Sequence, residues 1–140
     1  MQKNAVAKII ICSVFFILTG CNSDQADVVG KTNTLNIIGI QPPVTQVLKH
    51  DQKVDVEARI GYVLESKAAT VTLAILRTEG FGNKTLSSTF RIIQKGKGEL
   101  VLKESFFVPE TDALELRVLL LPQQRNDTAP EVKLNYKVVQ

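Results

Sequence analysis

One histidine and two cysteines in 140 residues leave little material for a metal or redox site. Cys12 lies within an N-terminal apolar run and Cys21 at its end, so the rest of the chain has neither a disulfide framework nor a cysteine ligand set. His50 stands alone in the polar stretch Lys49-His50-Asp51-Gln52, where a transition metal would need carboxylates for nearly all its ligands; it reads as a solvated loop residue. A Gly-x-Ser-x-Gly elbow is missing, and Ser66, Ser87, Ser88 and Ser105 have no base visible in the sequence. Lys95-Gly96-Lys97-Gly98 lacks the glycine spacing, the Lys-Ser/Thr pair and the following helix of a phosphate loop, and reads as a hairpin turn. The acid pairs Asp55/Glu57 and Glu110/Asp112 would have to flank a cleft to serve glycoside hydrolysis, yet Asp55 and Glu57 fall on the wet side of a strand pattern. No stretch keeps a 3.6-residue period over three turns, and no internal repeat occurs. These absences point away from an enzyme and imply no cofactor and no metal.

What is present begins at the N-terminus. Lys3 and Lys8 precede an apolar run from Ile9 to Leu18, which closes on Leu18-Thr19-Gly20-Cys21. A positive segment, about ten apolar residues and small residues at a cut form the general export pattern. Ten residues span only about 15 Å as a helix, half of a bilayer core of about 30 Å, so the run reads poorly as a permanent span and well as a segment that is removed. The segment resembles the signal peptide of a bacterial lipoprotein. That resemblance implies cleavage between Gly20 and Cys21, a signal peptide over residues 1–20, and diacylglyceryl and N-acyl chains such as palmitate on Cys21. Two or more chains anchor stably, each buried methylene contributing about 0.8 kcal/mol. In the lipoproteins that the segment resembles, an Asp directly after the cysteine tends to retain the protein at the inner membrane; with Asn22 and Ser23 there instead, the resemblance implies the outer membrane, with the domain facing the periplasm.

Removing residues 1–20 takes away two lysines and no acid, so the formal net charge falls from +3 to +1. A near-neutral domain with interspersed signs has little attraction for nucleic acid or for an acidic lipid surface. Its contact with membrane lipid is then expected through Cys21, and nucleic acid is not an expected partner. Residues 21–33 are polar with one apolar pair and read as a lipidated tether, and residues 34–140 are the size of one domain.

That domain alternates with period two, the mark of half-buried antiparallel strands. Val54, Val56, Ala58, Ile60 and Tyr62 alternate with Asp55, Glu57, Arg59 and Gly61; Val71, Leu73 and Ile75 repeat the pattern, as do Leu114 to Leu120 and Val132 to Val138. Less regular runs cover Leu35 to Gln41, Leu86 to Ile93 and Leu100 to Val108. Turn signals lie at Glu79–Lys84, Lys95–Gly98, Pro109–Asp112 and Pro122–Pro130. About seven strands in roughly a hundred residues predict an all-β, immunoglobulin-like β-sandwich. Pro42-Pro43 suits the break of an edge strand, because proline lacks a ladder donor.

An edge strand exposes unpaired backbone groups to which a partner can add a strand. Leu86 to Ile93 carries no proline and one charge, Arg91. Ser88, with the flanking Phe81 and Lys95 loops, is therefore the candidate surface for a protein partner in the envelope. The layout from Ala69 to Leu121 resembles that of the small periplasmic curli amyloid inhibitors: a strand ending Leu76-Arg77-Thr78-Glu79-Gly80, then Phe90-Arg91-Ile92, Lys95-Gly96-Lys97-Gly98-Glu99 and a strand from Leu114. The resemblance implies an immunoglobulin-like sandwich that holds amyloid subunits back from polymerising. The chain differs from that family in its lipid anchor and in having no Cys-x-Cys pair in the domain. The sequence thus predicts a membrane-anchored, non-enzymatic binding or envelope-assembly module. A curli-type inhibitor or chaperone-like accessory protein and a structural envelope lipoprotein are the alternatives.

Overall fold

The computed structural model describes residues 29–79 and 82–140; the signal segment with Gly20 and Cys21, and also Phe81, lie outside the described residues. The fold is all-β, an open sandwich-like arrangement of β1 (Thr34–Gln41), β2 (Leu48–Lys49), β3 (Lys53–Glu79), β4 (Gly82–Phe107), β5 (Ala113–Pro122) and β6 (Glu131–Val139). All seven runs legible in the sequence are strands. Two pairs of them are continuous, however: 54–62 with 71–75 in β3, and 86–93 with 100–107 in β4, which ends one residue before Val108.

These two long strands form one antiparallel hairpin that folds back on itself. The first half of β3 pairs with β1 and with the end of β4; its second half pairs with the start of β4 and with β5, which carries β6 on its far side. The return is visible in the connections at one end of the molecule. There Asp51 N–H donates to the Val108 carbonyl at 3.0 Å, His50 N–H to Val139 at 3.0 Å, and Val138 N–H to Asp112 at 3.0 Å. Leu114 lies between Arg77 and Tyr136 in the ladder, so the start and the finish of β3 share this end. The bend occupies the other end. The β3–β4 register slips between Leu64 and Ala68, and the buried residues of β3 change from even numbers, Val54 to Ile60, to odd numbers, Val71 to Ile75. Ala68 and Ala69 are both buried at the changeover, where small side chains leave room for the turn of the sheet.

Lys95–Gly98, expected as a hairpin turn, is therefore strand. Gly96, at φ 141°, supplies the backbone conformation that lets β4 follow the bend of β3 without leaving the ladder, so the glycine serves a fold in the sheet and not a chain reversal. Pro109–Asp112 falls between β4 and β5, and Pro122–Pro130 runs from the last residue of β5 to the start of β6, whereas of Glu79–Lys84 the described residues are all strand, Glu79 ending β3 and Gly82–Lys84 opening β4.

The core joins both halves. Ile60, Leu73, Leu116 and Leu120 are fully buried in one cluster with Leu102, Val108 and Tyr136. The strands form one continuous sheet whose folded halves serve as two layers. β1 with the first half of β3 and the end of β4 is the first sheet, and the second half of β3 with the start of β4, β5 and β6 is the second. Across the second the inward rows read Leu73–Val118–Val132 and Ile75–Leu116–Leu134. Tyr136 O–H donates to the Pro42 carbonyl at 2.7 Å, tying β6 to the chain just beyond β1, and burial pushes its phenol up to about 12. The outward side of the first sheet is wet and charged, with Glu57–Lys103 and Arg59–Glu99 pairs each at 2.8 Å across strands. Asp55, which accepts from the Ser105 hydroxyl, and Glu57 lie there among exposed residues, and such surface pairs contribute little to stability.

The segment expected as tether is docked in its last residues. Asn33 is buried; its side-chain amide donates to Ser66 Oγ at 2.8 Å and to the Thr128 carbonyl at 2.9 Å, and its Oδ1 accepts from Glu65 N–H at 2.9 Å. Ser66 Oγ donates to Asp127 Oδ2 at 2.5 Å, and Asp127 Oδ1 accepts Lys31 N–H at 2.8 Å. Gly30 is part of the same closure, since a Cβ there would lie 1.5 Å from the Asn126 carbonyl oxygen. This clamp joins residues 30–33, the bend of β3 and the β5–β6 loop.

The Ser66 hydroxyl, and next the Lys31 amide, hold the Asp127 carboxyl below its ordinary value of 3.8. A lowered folded-state value stabilises the fold above 3.8, and this contribution is lost as pH falls from there through the folded value. Denaturant melts across the acid range should therefore show a steeper loss of stability below pH about 4 in the wild type than in Asp127→Asn. Asn33→Ala should cost about 1–3 kcal/mol at neutral pH, because it strands buried donors in the clamp. Equal acid slopes for wild type and Asp127→Asn would show that the carboxylate form does not matter.

Candidate functional site

Each sheet ends in strands whose outer backbone groups need protection from stray pairing. The first sheet ends at β1, where Ile38 forms a bulge and Pro42-Pro43 follow the strand directly. The second ends at β6, whose final residues Val138 and Val139 are covered by parallel pairing with Leu48 and Lys49. The remaining edge of both sheets is β4, which among the described residues pairs with β3 alone. Its two halves are guarded differently. From Lys95 to Phe107 five charged side chains interrupt the edge, whereas from Gly82 to Gln94 there are only Lys84 and Arg91, with no proline.

The structure places Ser88 in the less guarded half, exposed and opposite Ala74. Lys95 lies further along the same strand, at the slip of the ladder, with its ammonium 3.9 Å from Glu65. Seven residues of strand separate the two by about 23 Å, so they define a line along an edge and not a pocket. Phe81, the third candidate, falls outside the described residues.

One feature of β4 departs from the alternation of the other strands. Ile93 is buried opposite Ala69, and this register turns Ser87, Thr89 and Arg91 to the inward side of β4. Phe90 and Ile92, the large apolar residues, then point away from the core and are 63% and 65% exposed. Beyond them, across Thr72 and Thr70, stand Leu119 and the exposed Leu121. Sequence periodicity separates the two faces of this run but does not tell which one is inward; the pairing of Ile93 with Ala69 decides it.

Other sites carry less. A hollow of about 400 Å³ at the end opposite the bend is lined by Arg77, Thr78, Glu110, Thr111, Asp112 and Gln140. It brings Glu110 and Asp112 into one hollow with Arg77 and two threonine hydroxyls, and its lining residues include no histidine, cysteine or serine. His50 sits in the adjoining loop, 3.5 Å from Asp51. Among the described residues, no three His, Cys, Asp or Glu side chains gather as a metal site would need. The clamp residues Asn33, Ser66 and Asp127 gave no sequence signal, being separated by 33 to 61 positions along the chain. No family model matches the chain, and no curated protein matches it.

Proposed function

We propose that this chain is a lipid-anchored protein of the bacterial envelope, held through Cys21 at the outer membrane and facing the periplasm. There it binds a protein partner by strand addition along the Gly82–Gln94 half of β4, and not along the charged half that holds Lys103, without enzymatic chemistry. The observation that carries the reading is the edge from Gly82 to Gln94, which is long, free of proline, almost uncharged and unpaired among the described residues. Strand addition takes affinity from main-chain hydrogen bonds and specificity from alternate side chains. On this edge those side chains would meet Ser88, Phe90 and Ile92 on one side and Ser87 and Thr89 on the other. A partner with an exposed, polymerisation-prone strand suits such an edge, and this is what a curli-type inhibitor would hold.

The test has two arms. A photo-crosslinking side chain at Ser88 should yield a discrete adduct in intact cells, and the same group at Lys103, on the charged outward side of the first sheet, should not. Adducts of equal yield from both positions, or from neither, would overturn the edge as the partner surface. For the anchor, labelled palmitate should enter the wild type and be absent from Cys21→Ser, which should fractionate as unprocessed or soluble protein with an unchanged β-domain. A wild-type chain that takes no label and fractionates as soluble would remove the anchor from the reading.

A further inference from the structure

The outward patch of Phe90, Ile92 and Leu121 lies towards the bend end of the second sheet, since Ile92 and Leu121 flank Thr70, four residues from Ser66 in the clamp. The described chain also enters the domain at this end, through Val29, which is 86% exposed, and Gly30. The same end is basic. Lys31, Lys67, Lys95 and Arg125 are exposed around the clamp together with Glu65; Glu131, exposed in the row of Phe90, is paired with Lys133 at 3.1 Å, and Asp127 is buried in hydrogen bonds. Signs that are interspersed along the sequence are thus segregated in space, and the near-neutral net charge conceals a cationic end.

The geometry points to a second membrane contact: the bend end of the domain docks on an anionic bilayer surface, inserting Phe90, Ile92 and Leu121 at the headgroup boundary while the surrounding Lys and Arg side chains meet lipid phosphates. Apolar side chains beside a cationic rim are the composition that binds the interface of charged bilayers. This inference rests on the lipid anchor of the proposed function for its geometry. Ten residues from Cys21 to the docked Lys31 reach at most about 35 Å, so the entry end is the part of the domain held nearest the lipid. Strand addition to β4 occurs in the plane of the sheet, so a partner's side chains would meet Phe90 and Ile92 from the flank and leave their outward surfaces to the lipid.

The chain has no tryptophan, so single reporters can be read cleanly. Phe90→Trp and, as a control at the opposite end, Phe107→Trp, which replaces a residue 68% exposed beside Lys53, would be reconstituted as full chains processed in cells supplied with labelled palmitate. The vesicles would be phosphatidylcholine with or without phosphatidylglycerol, carrying brominated acyl chains. The reporter at position 90 should be quenched in anionic vesicles and that at position 107 should not. A lysine near an anionic surface shifts such an equilibrium about five-fold, so Lys67→Glu with Lys95→Glu should release the reporter at position 90. Palmitate label without quenching at position 90 would overturn the docking and leave the anchor standing. Quenching without label would support the docking and remove the anchor; neither signal would remove both. Equal quenching at 90 and 107 would overturn the orientation. A concentration-dependent blue shift at position 90 without bromine quenching would assign the patch to a second copy of the chain and overturn the lipid contact.

Discussion

Truncating Leu73, Leu116 or Ile60 to Ala should each lower stability by about 2–5 kcal/mol, a large share of the 5–15 kcal/mol that holds a domain of this size. All three are fully buried in the one cluster that joins the two halves of the folded hairpin. Leu73 is flanked in its ladder by Val118, and Leu116 by Ile75 and Leu134, while Ile60 belongs to the opposite half of β3. Rigid sheet partners on both sides limit how far a cavity can collapse, which places these sites toward the costly end of the range. Leu134 was also expected inward from its alternation, and it is only partly buried, because β6 is the last long strand of its sheet. Leu134→Ala should therefore cost less than the other three. Arg59→Ala and Thr72→Ala, on outward positions, should change stability by less than about 1 kcal/mol. Thermal or denaturant melts that fail to separate Ile60, Leu73 and Leu116 from Arg59 and Thr72 would contradict the packing.

The alternation of Val54 to Tyr62, Val71 to Ile75, Leu114 to Leu120 and Val132 to Val138 made the strands and most of the core legible, because a half-buried strand writes its faces directly into the sequence. The continuity of β3 and β4 was not legible. A change of inward parity at Ala68-Ala69, and a glycine pair at Gly96 and Gly98, look the same in a sequence whether the chain reverses or merely bends; only the paired strand, bending in step, distinguishes them. The clamp was hidden for a different reason. Asn33, Ser66 and Asp127 are ordinary polar residues at loop-like positions, and their burial arises from meeting one another across the fold. The cationic bend end was concealed likewise, since Lys31, Lys67, Lys95 and Arg125 come from four separate segments.

Proline placed at Ser88 and, separately, at Thr89 should give opposite outcomes. In an antiparallel edge strand successive residues alternate in the direction of their backbone N–H, one toward the neighbouring strand and the next toward the open side. Ser88 and Thr89 lie opposite Ala74 and Leu73 in an unbroken stretch of the β3–β4 ladder, so one of the two donates to β3 and the other does not. At the position facing β3, proline removes a ladder bond and forces its ring against the central strand, a loss of about 3 kcal/mol or more. At the other position it removes only a donor that a partner strand would use, so the domain should retain its melting profile while the adduct from a photo-crosslinking side chain placed at Phe90, on the same edge, disappears. The pair thus separates folding from binding with two adjacent substitutions. If both variants melt far below the wild type, β4 is gripped on both sides and cannot be the free edge. If both fold and both still form the adduct, the partner is held by some other surface.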